Sequence, residues 1–136
     1  MGAVLTPEPD PAARRHGWQL RRTAYRALGD LRAEYQRAMS EPAAVSRRAS
    51  AWWPAIVALD EVVDAVTATG VAIRRGAAAP SPDAVHRLTA ALSAVADAID
   101  AGVPPRVGEL PDDEALKPVT DAVRPVLSAL GSGPRP

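Results

Sequence analysis

An all-α fold is predicted for this chain, specifically an antiparallel four-helix bundle with two long N-terminal helices and two shorter C-terminal ones. Three observations predict it. Apolar residues recur at steps of three and four in four separate segments. Helix start and stop residues punctuate those segments at the expected places. No segment alternates apolar and polar residues between hairpin turns, so strands are not expected. At 136 residues the chain is long enough for one domain with its own core. The pattern divides it into a tail over 1–10, a single bundle domain over 11–130 and a second tail over 131–136.

The first helix opens at Asp10-Pro11, an N-cap acid followed by proline at the first helical position, and runs to about Ser40. Its apolar stripe is Leu20, Ala24, Leu28, Leu31, Tyr35 and Met39, with Arg14, Arg15, Arg22, Arg26 and Arg37 away from it. Trp18 and Tyr25 stand at the edge of the basic face. Ser40-Glu41-Pro42 breaks the chain into the second helix. Its seam reads Val45, Ala49, Trp52, Ile56, Leu59, Val63, Val66, Gly70 and Ile73, alternating steps of four and three. Pro54 removes a backbone donor inside this helix. The seam keeps its phase through it, which predicts one kinked continuous helix ending near Gly76.

Ser81-Pro82-Asp83 starts the third helix and Gly102 stops it, with Val85, Leu88, Leu92, Val95 and Ile99 as its stripe. A proline-rich loop over 102–111 leads to a fourth helix from about Asp112 to Leu130. This helix turns Leu116, Val119, Val123, Leu127 and Leu130 inward and is weakened by Pro118 and Pro125.

Composition excludes several function classes. Without cysteine there are no disulfides, thiolate metal sites or cysteine nucleophiles. The longest apolar run, Ala51–Leu59, is far short of the ~20 residues a membrane helix needs. His16 and His86 stand alone, without metal-ligand spacing, and no glycine-rich phosphate loop is present. Asp60, Glu61 and Asp64 read as a solvated acidic face. No catalytic residues, metal or cofactor are therefore expected. The net charge is zero but unevenly spread: residues 1–50 carry nine arginines against five acids. The plain reading is that the two halves neutralise each other on folding. A basic face on the first helix also suits anionic lipid headgroups. Nucleic acid is not expected as a partner, because the domain as a whole is not basic.

The most distinctive feature is Trp52-Trp53-Pro54. Adjacent residues on a helix point ~100° apart. The pattern places Trp52 on the seam, inside, and Trp53 at the flank. Trp53, with Trp18 and Tyr25, is the candidate interface set, because large rings that can be desolvated make good anchors. The bland alternative puts both tryptophans in the core. A second candidate site is a pocket near Pro54 in which Trp52 and Trp53 would hold an aromatic acid, with Arg47 or Arg48 meeting its carboxylate.

Beyond these patterns, Arg21–Ile73 resembles the C-terminal cytosolic region of fusaric-acid-resistance-type (FUSC) membrane exporters, actinobacterial ones in particular. The residues that carry the likeness are Arg22–Leu28, Glu34–Pro42, Ala51–Pro54 and Leu59–Ala68. A following helix like Val85–Asp100 and a proline-rich loop also fit. The resemblance implies a non-catalytic cytosolic helical domain, serving assembly or regulation of a parent protein that exports aromatic acids or similar small organic compounds. Its implied partners are the membrane portion of that parent or a second subunit, in a homo-oligomer, and its implied place is the cytoplasmic side of the cell membrane. The membrane helices of such exporters are not in this sequence. An aromatic-acid-binding module and a free-standing helical adaptor are the alternative readings.

Overall fold

The computed structural model describes residues 11–131; the side chains of Ala13, Arg14, Ala44, Val45 and Arg48 are outside that description. The expected cap at Asp10 and the expected tails over 1–10 and 131–136 also lie outside the described residues, except Gly131, which ends α5. Among those described the chain is all helical: α1 (Pro11–Met39), α2 (Ala43–Ser50), α3 (Trp53–Arg74), α4 (Pro82–Ala101) and α5 (Lys117–Gly131), with a 3-10 turn at Glu114–Leu116 before α5. The all-α bundle expected from the periodicity is the fold.

Most helix ends fall where the residues dictate. Ser81 caps α4, its Oγ accepting from the Ala84 N–H, and Pro82 occupies the first turn. Gly102, at φ 65°, closes α4 in the left-handed conformation, and the Val103 N–H donates to the Ala98 carbonyl. Pro118 lies in the first turn of α5, where a missing N–H costs nothing. Pro125 sits inside α5 and is exposed.

The second helix is a correction. It is not one kinked rod but two helices, α2 and α3, joined by a turn at Ala51-Trp52. Pro54 has no N–H to offer the Ser50 carbonyl. Upstream, the Trp52 N–H turns to the Ala49 carbonyl at 3.0 Å, an i−3 bond that tightens the chain. A new ladder starts when the Ile56 N–H donates to the Trp52 carbonyl at 3.0 Å. Pro54 is thereby placed at the start of α3, where proline is favoured. Ala51 and Trp52 both stay in the right-handed helical region, so the chain bends here without reversing.

The core lies between α3, α4 and α5. Ala58 and Val62 of α3, Ala84, Leu88 and Val95 of α4, and Leu116, Val119, Val123 and Val126 form one buried cluster. The buried rows are heptads that use alanine. On α4, Ala84, Ala91 and Ala98 are spaced seven apart and alternate with Leu88 and Val95. On α3, Ala55, Ile56, Ala58 and Val62 are buried, and Ala65 packs partly buried against the core. The expected seams hold at Ile56, Leu88 and Val95 and fail at several other large residues. Val66 is 50% exposed, and Val85 and Ile99 are exposed rather than inside. On α5 the expected face holds, except that Val126 is buried where Leu127 was expected and Leu127 is half-buried.

Three links between α1 and α3 set their directions. Tyr25 meets Asp64, Arg32 meets Asp60 and Tyr35 meets Trp53, so α1 and α3 run antiparallel. The segment 103–113 runs back along α4: Arg87 donates to the Glu109 carbonyl at 3.2 Å, while Val107 and Leu110 pack over the core. Asp113 then reaches the start of α4, where its Oδ2 accepts from the Ser81 N–H at 3.0 Å and the Ser81 hydroxyl at 3.1 Å. Its Oδ1 accepts from the Ala115 N–H at 3.0 Å. One carboxylate thus ties the head of α4 to the head of α5, and these two helices run the same way, both antiparallel to α3.

The Ser81 backbone N–H is the main group holding the Asp113 carboxyl below its usual range; partial burial opposes it, while the Ser81 hydroxyl and the Ala115 and Leu116 N–H groups add to it. A carboxylate with a depressed folded pKa stabilises the fold above its unfolded value, and that contribution disappears as pH falls through the folded value. Asp113→Asn is therefore expected to lower Tm at neutral pH, with the gap to the wild type closing below about pH 4, the range of ordinary aspartates. Thermal denaturation followed by circular dichroism across that range checks it. In the core, Val123→Ala is expected to cost about 2 kcal/mol. Leu20→Ala on α1 is expected to cost well under about 1 kcal/mol, as urea titration would measure.

Candidate functional site

α1 is the element the fold leaves most uncovered. Among its described residues only Leu28 is buried, so the expected inward stripe is corrected at Leu20, Leu31 and Met39, all exposed. The reason is the split of the core: α3 turns Ala58 and Val62 toward α4 and α5, and α1 lies along the remaining side. Its hold on α3 is mixed: the Tyr35–Trp53 ring contact is joined by two polar links. The Tyr25 hydroxyl donates to Asp64 Oδ1 at 2.9 Å, and Arg32 pairs with Asp60. Asp60 and Asp64 are therefore interface groups rather than a solvated acidic face. Their four-residue spacing, facing Tyr25 and Arg32 seven apart, is the sequence signal that matches them.

At 100° per residue, α1 presents two further faces. One carries Trp18, Arg22, Tyr25 and Arg26 at i, i+4, i+7 and i+8, with Arg15 and Arg21 three residues either side of Trp18. An open notch of about 480 Å³ lies here, lined by Trp18, Arg21, Arg22, Tyr25 and Arg26. Trp18 is 70% exposed. The other face is a ridge of Leu20, Ala24, Ala27 and Leu31, spaced four, three and four apart, with Leu20 57% exposed.

The tryptophan pair behaves differently from expectation. Trp52, expected inside the seam, is 47% exposed, because the Ala51-Trp52 turn takes it off the face of α3. Trp53, expected at the free flank, packs its ring against Tyr35 with centroids 4.9 Å apart and planes tilted by 31°. It remains 43% exposed, so neither tryptophan is a core residue. The indole with the freest surface is Trp18. Exposure at that position was legible from its place at the edge of the basic face; its lead over Trp53 was not, since that depends on Tyr35.

Arg47 is exposed on α2, and the side chain of Arg48 lies outside the described residues. Two concavities stand out among the described residues, and neither is lined by Arg47, Trp52 or Trp53. The second, of about 130 Å³, opens between α3, α4 and α5 with walls such as Val62, Val95 and Val123. Those walls are aliphatic, so a carboxylate there would lose its hydration and find no donor. Among the described residues no group of three or more metal-ligating side chains converges, and no helix is long and apolar enough to cross a membrane.

No protein-family model, curated protein or solved structure matches this chain.

The ring contact predicts a contrast between neighbours. Trp53→Ala should cost about 1 kcal/mol from the Tyr35 pair alone, whereas Trp52→Ala and Trp18→Ala should stay within about 0.5 kcal/mol of the wild type. Equilibrium denaturation of the three variants reads this directly.

Proposed function

We propose that this chain is a non-catalytic helical interaction domain that serves assembly or regulation of a FUSC-type exporter from the cytoplasmic side of the membrane. The observation that carries the interaction reading is the uncovered ridge of Leu20, Ala24, Ala27 and Leu31 on α1. Its alternation of large and small residues at heptad steps suits a second helix, with leucine knobs either side of an alanine floor. The chain has its own core without α1, so the ridge is not spent on folding. The exporter reading is supported by the sequence likeness over Arg22–Leu28, Glu34–Pro42 and Ala51–Pro54. Export of small organic compounds would belong to the membrane-spanning parent, with this domain as a non-transporting part. A second subunit supplying the same ridge is the simplest occupant, because a two-fold axis lets one self-complementary surface serve both copies.

Sedimentation over a concentration series tests this. The wild-type chain is expected to self-associate, and the double variant Leu20→Asp/Leu31→Asp to do so at least tenfold more weakly, with unchanged helicity. That factor corresponds to about 1.4 kcal/mol. A wild-type chain that stays monomeric throughout, or a variant that associates equally well, would overturn the ridge as the contact between copies.

A further inference from the structure

We propose that the Trp18 face of α1 is a docking surface for anionic phospholipid headgroups at a bilayer surface. It lies on the flank of α1 opposite the leucine ridge, so it stands or falls separately from the assembly reading.

The face is basic. Arg15, Arg21, Arg22 and Arg26 form no ion pair among the described residues. By contrast, Arg32, Arg37, Lys117 and Arg124 each pair with a carboxylate. The expectation that the basic and acidic halves neutralise each other is therefore met at Arg32–Asp60 but not along the start of α1. From Pro11 to Gly29 there is no acidic residue; the first is Asp30. On the side nearest α3, Asp64 accepts from Tyr25 rather than from an arginine. What remains is a band of positive charge running about 16 Å along the helix from Arg15 to Arg26.

Aromatic rings lie within the same face. Trp18 stands in the middle of that band at 70% exposure, with Tyr25 two turns further on. An exposed indole costs apolar surface in water, and its amphipathic ring is at home at the level of lipid headgroups. Arginine fork geometry suits phosphate oxygens on either side of it. The surface is also open: the shallow notch is lined by one helix alone, with no facing element to grip a single strand. An open basic face on a single helix, bearing an exposed indole, lies flat on a sheet of headgroups. The chain's zero net charge leaves the attraction local, which favours a surface touched directly over a polyanion drawn from a distance.

Flotation with vesicles of phosphatidylcholine alone, and of phosphatidylcholine mixed with phosphatidylserine, tests the proposal. The chain is expected to float with the phosphatidylserine vesicles only and to be released by added salt. Each arginine near an anionic surface is worth about 1 kcal/mol, so Arg22→Gln/Arg26→Gln should lower partitioning about 25-fold. These side chains are exposed, and equal circular dichroism will show that the fold is retained. An independent reading uses Trp52→Phe/Trp53→Phe, which leaves Trp18 as the only tryptophan; its emission should shift to the blue on phosphatidylserine vesicles. Equal flotation with both vesicle types, no flotation at all, an unchanged partition of the glutamine variant, or a Trp18 spectrum indifferent to vesicles would each overturn the proposal. Tighter binding to a DNA or RNA duplex than to phosphatidylserine vesicles at the same salt would overturn it in favour of nucleic acid.

Discussion

The packing of α5 along α3, with α4 laid over the pair, is the constraint on which the rest of the molecule depends. Ala58 on α3 and Ala84, Ala91 and Ala98 on α4 are buried, and Val119 and Val123 of α5 are the most enclosed large side chains. Packing at interior density leaves no slack at such positions, so an extra methylene at an alanine would push helices apart. The chain has no phenylalanine and few aromatics to fill wider gaps, so a core of alanine, valine and leucine has to be narrow. A narrow three-helix core has no room for a fourth helix at its centre. That is why α1 lies alongside and keeps its apolar ridge in the open.

The single carboxylate at Asp113 does for the chain path what the alanines do for packing. Its bonds to Ser81 and Ala115 gather the starts of α4 and α5 into one corner. With that corner fixed, the segment before it must retrace the length of α4, and in doing so it lays Val107 and Leu110 over the core. Loop, cap and core are therefore mutually supporting, and α5 can tolerate Pro125 because most of its stability comes from burial rather than from its own ladder.

Helix ends were legible in the sequence because they are chemical: Ser81-Pro82 and Gly102 act through local hydrogen bonds and allowed dihedrals that need no neighbour. The inward faces of α3 and α4 were legible only in part. Large residues such as Val66, Val85 and Ile99 dominate a hydrophobic pattern but stay exposed, while Ala58, Ala84, Ala91 and Ala98 are buried beside Ile56, Leu88 and Val95. The break at Ala51-Trp52 was hidden by a seam whose phase ran on unbroken across it. The basic and aromatic face of α1 was visible as a pattern. Whether its charges found partners was not, because that depends on which side of α3 the acids occupy.

The turn at Ala51-Trp52 has a consequence of its own. Tyr25, Arg32 and Tyr35 all find their partners on α3, beyond that turn in the chain. The stretch 11–50 is thus an arm that lies along α3 and joins it at the Ala51-Trp52 turn. Were that turn to straighten, the arm of one molecule could settle on α3 of its neighbour with every contact re-formed, and reciprocal exchange would yield an intertwined pair at little more than the cost of reshaping two residues.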